Sequence, residues 1–392
     1  VYYAHMTSQR PTYRDNSDDP FEDAEDATEE DLWFLPPPLE QEPDLLPPGP
    51  QLPPDEADLL RDWRAAEAGQ AARLAQVAGR LGALGDRLSR GPEGWRQRLA
   101  LTEAAELSWI AGDRVGTDRL ALWMALHLAG VQDDMAALAR AAWAMRRLTG
   151  GPGPEAGLAG FLDRRDPGAG RGEDLFADRA GGWEAATAEA SALHPISRAA
   201  MGVHLWALAG LGETGDPLEA AVTAARIAAS DSGAVFAPVA MGGAGALRPG
   251  GTPGERLGRW LSGMESGVLA AMRHLDEIEL WSPRAEATMS RLSGRTPPAL
   301  RKAFASWPLL SAPMAEDLTG ASRAAVQRNL TWMEEHGLIR EVTGQGRFRM
   351  WKTAGVKGTL LQRPSSGGTM RRSEVESKRG PEGLCAQPGW AS

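Results

Sequence analysis

Residues 297–352 read PPALRKAFASWPLLSAPMAEDLTGASRAAVQRNLTWMEEHGLIREVTGQGRFRMWK. The spacing predicts a first helix over about Pro298 to Ser306, with Leu300 and Phe304 turned inward. Ser311 precedes a second, short helix from Pro313 to Leu318. Thr319-Gly320-Ala321 is a tight turn in which Gly320 can take a positive φ. Ser322 is placed to cap a third helix that reaches His336 and stops at Gly337. Val326, Leu330 and Met333 recur at the spacing of a buried helix face. Leu338 to Val342 predicts a strand, Thr343-Gly344-Gln345-Gly346 a turn, and Arg347 to Trp351 the return strand. Helix, helix–turn–helix, then hairpin is the order of a winged helix.

That arrangement suits double-stranded DNA. A helix–turn–helix places the start of its second helix in the major groove. The start of the third helix here turns Ser322, Arg323, Ala324, Gln327, Arg328 and Thr331 outward. Arginine can bond bidentately to guanine and glutamine to adenine, and a small Ala324 permits close approach. Arg347 and Arg349 on the hairpin are the expected phosphate contacts. Two other readings of the same residues are a winged helix used for protein contacts and a small helical bundle with a solvated basic face.

Outward from this stretch the chain divides by composition. The 392 residues carry a net charge of −10, unevenly spread. Residues 1–50 hold 13 acidic residues against Arg10 and Arg14, whereas 297–352 holds eight basic and five acidic ones, and 353–392 adds a further +3. A basic end on an acidic chain points to nucleic-acid contact there. Eleven of the 28 prolines fall within residues 1–54, which excludes regular helix or central strand and predicts a disordered acidic arm. Residues 353–392 are expected to be a flexible basic tail. Residues 55–292 predict an all-helical domain: Leu59, Trp63, Leu74, Val77, Leu81, Leu84 and Leu88 recur at three- and four-residue spacing. Residues 99–110 and 117–129 follow as helices. The second carries Leu120, Leu122, Trp123, Met124, Leu126 and Leu128 nearly all round, the pattern of a buried central helix. Asp216-Pro217-Leu218-Glu219 and Thr252-Pro253-Gly254-Glu255 are helix starts. Residues 151–182 and 229–251 read as Gly-rich connections. The expected fold class is therefore mainly α, a multi-helix domain followed by a C-terminal winged helix-turn-helix.

Several chemistries lack their residues. One cysteine, Cys385, excludes a disulfide framework and a multi-cysteine zinc site, and favours a reducing cytoplasm. No phosphate-binding loop, metal-spaced histidine pair or nucleophile elbow occurs, so no cofactor and no metal are expected. No apolar run is long enough to span a membrane, so no membrane partner is expected. His127 and His204 read as satisfied core histidines, and His194-Pro195 as a helix-start turn.

The block from Leu318 to Trp351, with the Trp- and Ala-rich helical region before it, resembles a bacterial family in which an all-helical domain of unknown function precedes a C-terminal helix-turn-helix domain. FLDRRDP at 161–167, followed by a Trp and by His-Pro near 194, is similar to the same family. The resemblance covers roughly residues 55–352 and implies DNA binding without a reaction. Residues 106–122, ELSWIAGDRVGTDRLAL, with Leu193-His194-Pro195-Ile196, are similar to Fic-type adenylyl transferases. The family's inhibitory positions would be Leu107 and Ala111, both without the required side chains, although Gly112 remains. Arg198 stands where the metal-holding acid would be, and the glycine-rich anion loop is absent. This predicts a degenerate site without phosphoryl chemistry. The expectation is a cytoplasmic, sequence-specific DNA-binding regulator, with a homodimer as the expected assembly because helix-turn-helix proteins read two half-sites.

Overall fold

The computed structural model describes residues 56–126, 134–164, 171–212, 215–344 and 349–355. The acidic arm, His127, Arg347 and the tail beyond 355 lie outside the described residues. The fold is mainly helical. Helix α1 (Glu56–Gly69) ends at Gln70, and α2 (Ala71–Arg90) starts afresh. The apolar spacing of the sequence runs through this break because Trp63, Leu74, Val77, Leu81, Leu84 and Leu88 are all buried in one core. Helices α3 (Gly94–Ile110), α4 (Thr117–Leu126) and α5 (Met135–Thr149) follow, and α3 packs on α5. Asp134 caps α5 by accepting the Ala136 and Ala137 N–H groups.

Two expectations are corrected. Helix α4 is not a buried central helix: Leu120, Ala121 and Leu122 are buried, Trp123 and Met124 only half so, and Ala125 is exposed. The stretch 151–182 is not merely a connection. A short helix, α6 (Leu158–Phe161), lies within it, and α7 (Arg171–Glu189) occupies its last part. Glycines Gly181 and Gly182 weaken the helical signal of α7, but burial of Ala180 and Trp183 outweighs them. The Trp183 indole N–H donates to the Gly202 carbonyl at 2.9 Å, and the two residues sit in close contact.

Helix α8 (Pro195–Ala209) starts at the His194-Pro195 turn and packs on α9 (Leu218–Ala228). Asp216 holds the first N–H of α9 at 3.0 Å. At the helix start expected at Thr252 a capping box with Glu255 is present, and it opens α10 (Pro253–Met289), 37 residues long. Leu257, Trp260, Leu261, Met264, Val268 and Leu275 of α10 are buried in the main core. Leu269, next to buried Val268, is 40% exposed. The end of α10 enters a second core: Trp281, Ala285 and Met289 pack with Leu300, Phe304, Val326, Leu330 and Met333. The C-terminal core thus begins on α10, some residues before the boundary that composition suggests at 292.

The connection 229–251 is pinned to three helices. Glu103 on α3 is fully buried, and its carboxylate accepts the N–H groups of Val239, Ala240 and Met241 at 2.7–2.9 Å. Burial pushes this carboxyl up to about 7 while the three amides pull against the rise. Glycines let the backbones meet. A Cβ on Gly267 of α10 would lie 2.1 Å from the Pro238 carbonyl oxygen, and one on Gly85 of α2 would lie 2.3 Å from that of Ser232. Glu103→Ala would strand three donors, two of them buried, and should lower unfolding free energy by about 3 kcal/mol. Gly267→Ala should lower it by about 2 kcal/mol through overpacking. Urea titration of both variants measures this, and changes within about 0.5 kcal/mol would contradict the account.

Candidate nucleic-acid interface

The C-terminal region is built from short local signals. Helix α11 (Thr296–Ser306) buries Leu300 and Phe304, as their spacing requires. Residues Leu310 and Ser311 form a two-residue strand, β1, that sequence reading missed. Ser311 then accepts the Met314 N–H and caps α12 (Ala312–Thr319). Gly320 ends α12 with φ 61°, the left-handed conformation that glycine accepts without strain. Ser322 caps α13 (Arg323–Glu335) by accepting the Ala325 N–H. Gly337, with φ 65°, turns the chain into β2 (Ile339–Glu341). Strand β3 (Met350–Thr353) returns between the other two, giving an antiparallel sheet of order β1-β3-β2. Among the described residues the return strand runs from Met350 to Thr353, two residues beyond the expected end at Trp351.

Opposite faces of α13 have opposite fates. Val326, Leu330 and Met333 are fully buried. Ser322, Arg323, Ala324, Gln327, Arg328 and Thr331 are all exposed. Arg323, Gln327 and Thr331 succeed one another at four-residue spacing, and Ala324 with Arg328 forms the adjoining row, so these side chains make one stripe. Arg323 and Arg328 have no ion-pair partner among the described residues.

Of the two cations expected on the hairpin, Arg347 lies outside the described residues and Arg349 is paired within the region. Arg349 is engaged inward: it bonds Glu334 and Glu341 at 2.9 Å each and stacks over Trp351 at 4.9 Å. The Trp351 indole N–H also donates to Glu334. Arg340 and Lys352 of the sheet pair with Asp118 on α4, at 3.4 and 2.5 Å. Arg301 pairs with Glu286 and donates to Ser282 on α10. Among the described cations of residues 297–352, Lys302, Arg323 and Arg328 are the ones left without an ion-pair partner. Lys302, exposed on α11, was missed because its charge in sequence looks no different from that of its paired neighbours.

The region is anchored to the helical body. Arg98 on α3 donates to the Phe304 and Trp307 carbonyls at 3.0 and 2.6 Å, and Trp95 donates to that of Ala305 at 3.0 Å. Trp281 on α10 donates to the Leu338 carbonyl at 2.8 Å.

The segment around His194 opens a helix. His194 is the N-cap of α8, with its Nδ1 accepting the Ile196 N–H at 3.1 Å. After Pro195 the chain continues as helix, with Ser197, Ala199, Ala200 and Met201 buried, and Leu107 is fully buried on α3. His204 is not the satisfied core histidine expected. Its Nδ1 has no partner among the described residues, and burial, with Arg256 nearby, pushes it down to about 4. Among the described residues no group of three His, Cys, Asp or Glu side chains is placed to hold a metal, and no helix is long and apolar enough to cross a membrane. Compared with known proteins, the chain matches no family model, and no curated protein matches it.

The pairing pattern separates structural from free cations. Arg349→Ala should cost about 1–3 kcal/mol of stability by removing its charge-assisted hydrogen bonds to Glu334 and Glu341. Arg323→Ala and Arg328→Ala should each stay within about 0.5 kcal/mol of the parent. Thermal unfolding of the three variants gives the comparison, and equal losses would contradict the assignment.

Proposed function

We propose that residues 296–353 are a winged helix-turn-helix that binds double-stranded DNA through α13, and that the protein is a sequence-specific transcriptional regulator. The observation that carries this is the exposed stripe Arg323, Ala324, Gln327, Arg328 and Thr331, laid over a fully buried opposite face and started by the Ser322 cap. Such a helix start fits the major groove, where Arg and Gln read base edges. The guanidinium groups of Arg323 and Arg328, without an ion-pair partner among the described residues, suit guanine or phosphate. Arg349, held by two carboxylates, supports the helix and sheet rather than a phosphate contact. A homodimer presenting two such stripes would read paired half-sites.

The test is duplex DNA selected from a random pool, followed by mobility shift at fixed salt. Arg323→Ala is expected to cost about 1–3 kcal/mol of affinity and to relax specificity at one position. Arg349→Ala is expected to leave the salt slope unchanged once the protein is folded. A double Arg323→Ala, Arg328→Ala variant that binds the selected site as tightly as the parent would overturn the reading and assign the stripe to a protein contact instead.

A further inference from the structure

A cavity of about 450 Å³ lies at the junction between the helical body and the C-terminal sheet. Its walls come from both sides: Arg98 from α3, His274, Ile278 and Trp281 from α10, and Lys352 from β3. Arg98 is only 5% exposed and makes no ion pair among the described residues, its acceptors being the carbonyls of Phe304 and Trp307 at the end of α11. Its Nε and the Nε2 of His274 are buried without any hydrogen-bond partner among the described residues. A buried cation with an unpaired donor costs several kcal/mol, roughly, unless something supplies the missing acceptor. Arg340 and Lys352 add positive charge, offset in part by Asp118 and by Glu277, which also lines the cavity. Ile278 and Trp281, both buried, supply an apolar wall of the same space.

We infer that this junction cavity binds a small organic carboxylate, with its charged end on Arg98 and His274 and its apolar body against Ile278 and Trp281. The Arg98 Nε–H, left without an acceptor among the described residues, is offered to a carboxylate oxygen, and the neutral imidazole donates from Nε2. The apolar wall distinguishes such a molecule from an inorganic anion, which gains nothing there. Because one wall is α3 and the other β3, an occupant bridges the body and the region that carries α13. The site stands apart from the DNA reading, since binding is measured without DNA.

Benzoate is the probe, with benzyl alcohol as its neutral counterpart and phosphate as the bare anion. Calorimetric titration of the full chain should give a Kd for benzoate below about 1 mM and at least about tenfold weaker binding of the other two. Arg98→Lys retains a cation for the α11 carbonyls but removes the unpartnered Nε–H. His274→Leu removes a donor that holds no other group in place. A loss of about fivefold or more in either variant, with unfolding still cooperative, supports the site. No benzoate binding to the parent at about 10 mM, equal binding of benzyl alcohol or phosphate, or affinities unchanged in both variants would overturn it.

Discussion

One helix shared by two cores sets the arrangement of the rest. Helix α10, at a rise of about 1.5 Å per residue, is a rod of roughly 55 Å. Its first two-thirds bury Trp260, Leu261 and Met264 against the body, and its end buries Trp281, Ala285 and Met289 in the C-terminal core. Pro283 removes one intrahelical hydrogen bond within this span, yet the helix continues to Met289. Burial on either side of the proline, at Trp281 and Ala285, holds the helix together where propensity alone would end it. Because the rod belongs to both cores, the position of α13 follows from the packing of the body.

Polar ties then remove the remaining freedom. Arg98 and Trp95 hold the carbonyls at the end of α11, and Asp118 holds Arg340 and Lys352 of the sheet. These bonds also sort the charges. Most cations of the C-terminal region neutralise acids of the body or of the region itself. Arg323 and Arg328 are spared because they lie on the face of α13 that meets neither core. Within residues 297–352 the described cations left without an ion-pair partner are thus Lys302, Arg323 and Arg328, the latter two on the exposed face of α13.

Most of this stripe was legible in the sequence, because its determinants are local. The Ser322 cap, the left-handed Gly320 and the spacing of Val326, Leu330 and Met333 each act within a few residues. What was not legible depends on distant partners. The two residues of β1 become a strand only through Trp351 and Met350. The inward turn of Arg349 depends on Glu334 and Glu341 being brought beside it. Helix α7 is disguised by Gly181 and Gly182, and its stability comes from Trp183 against α8. Glu103 reads as one acid among many on α3, and its role appears only when the backbone of 239–241 arrives to donate to it.

The central claim is that the exposed face of α13 meets DNA while the body holds it in place. Amide hydrogen exchange, measured with and without an equimolar pool of random-sequence duplex at low salt, tests this most directly. The account predicts added protection in peptides covering 322–331 and none in those covering α2. Unchanged exchange over 322–331, or DNA-dependent protection confined to the helical body, would contradict it.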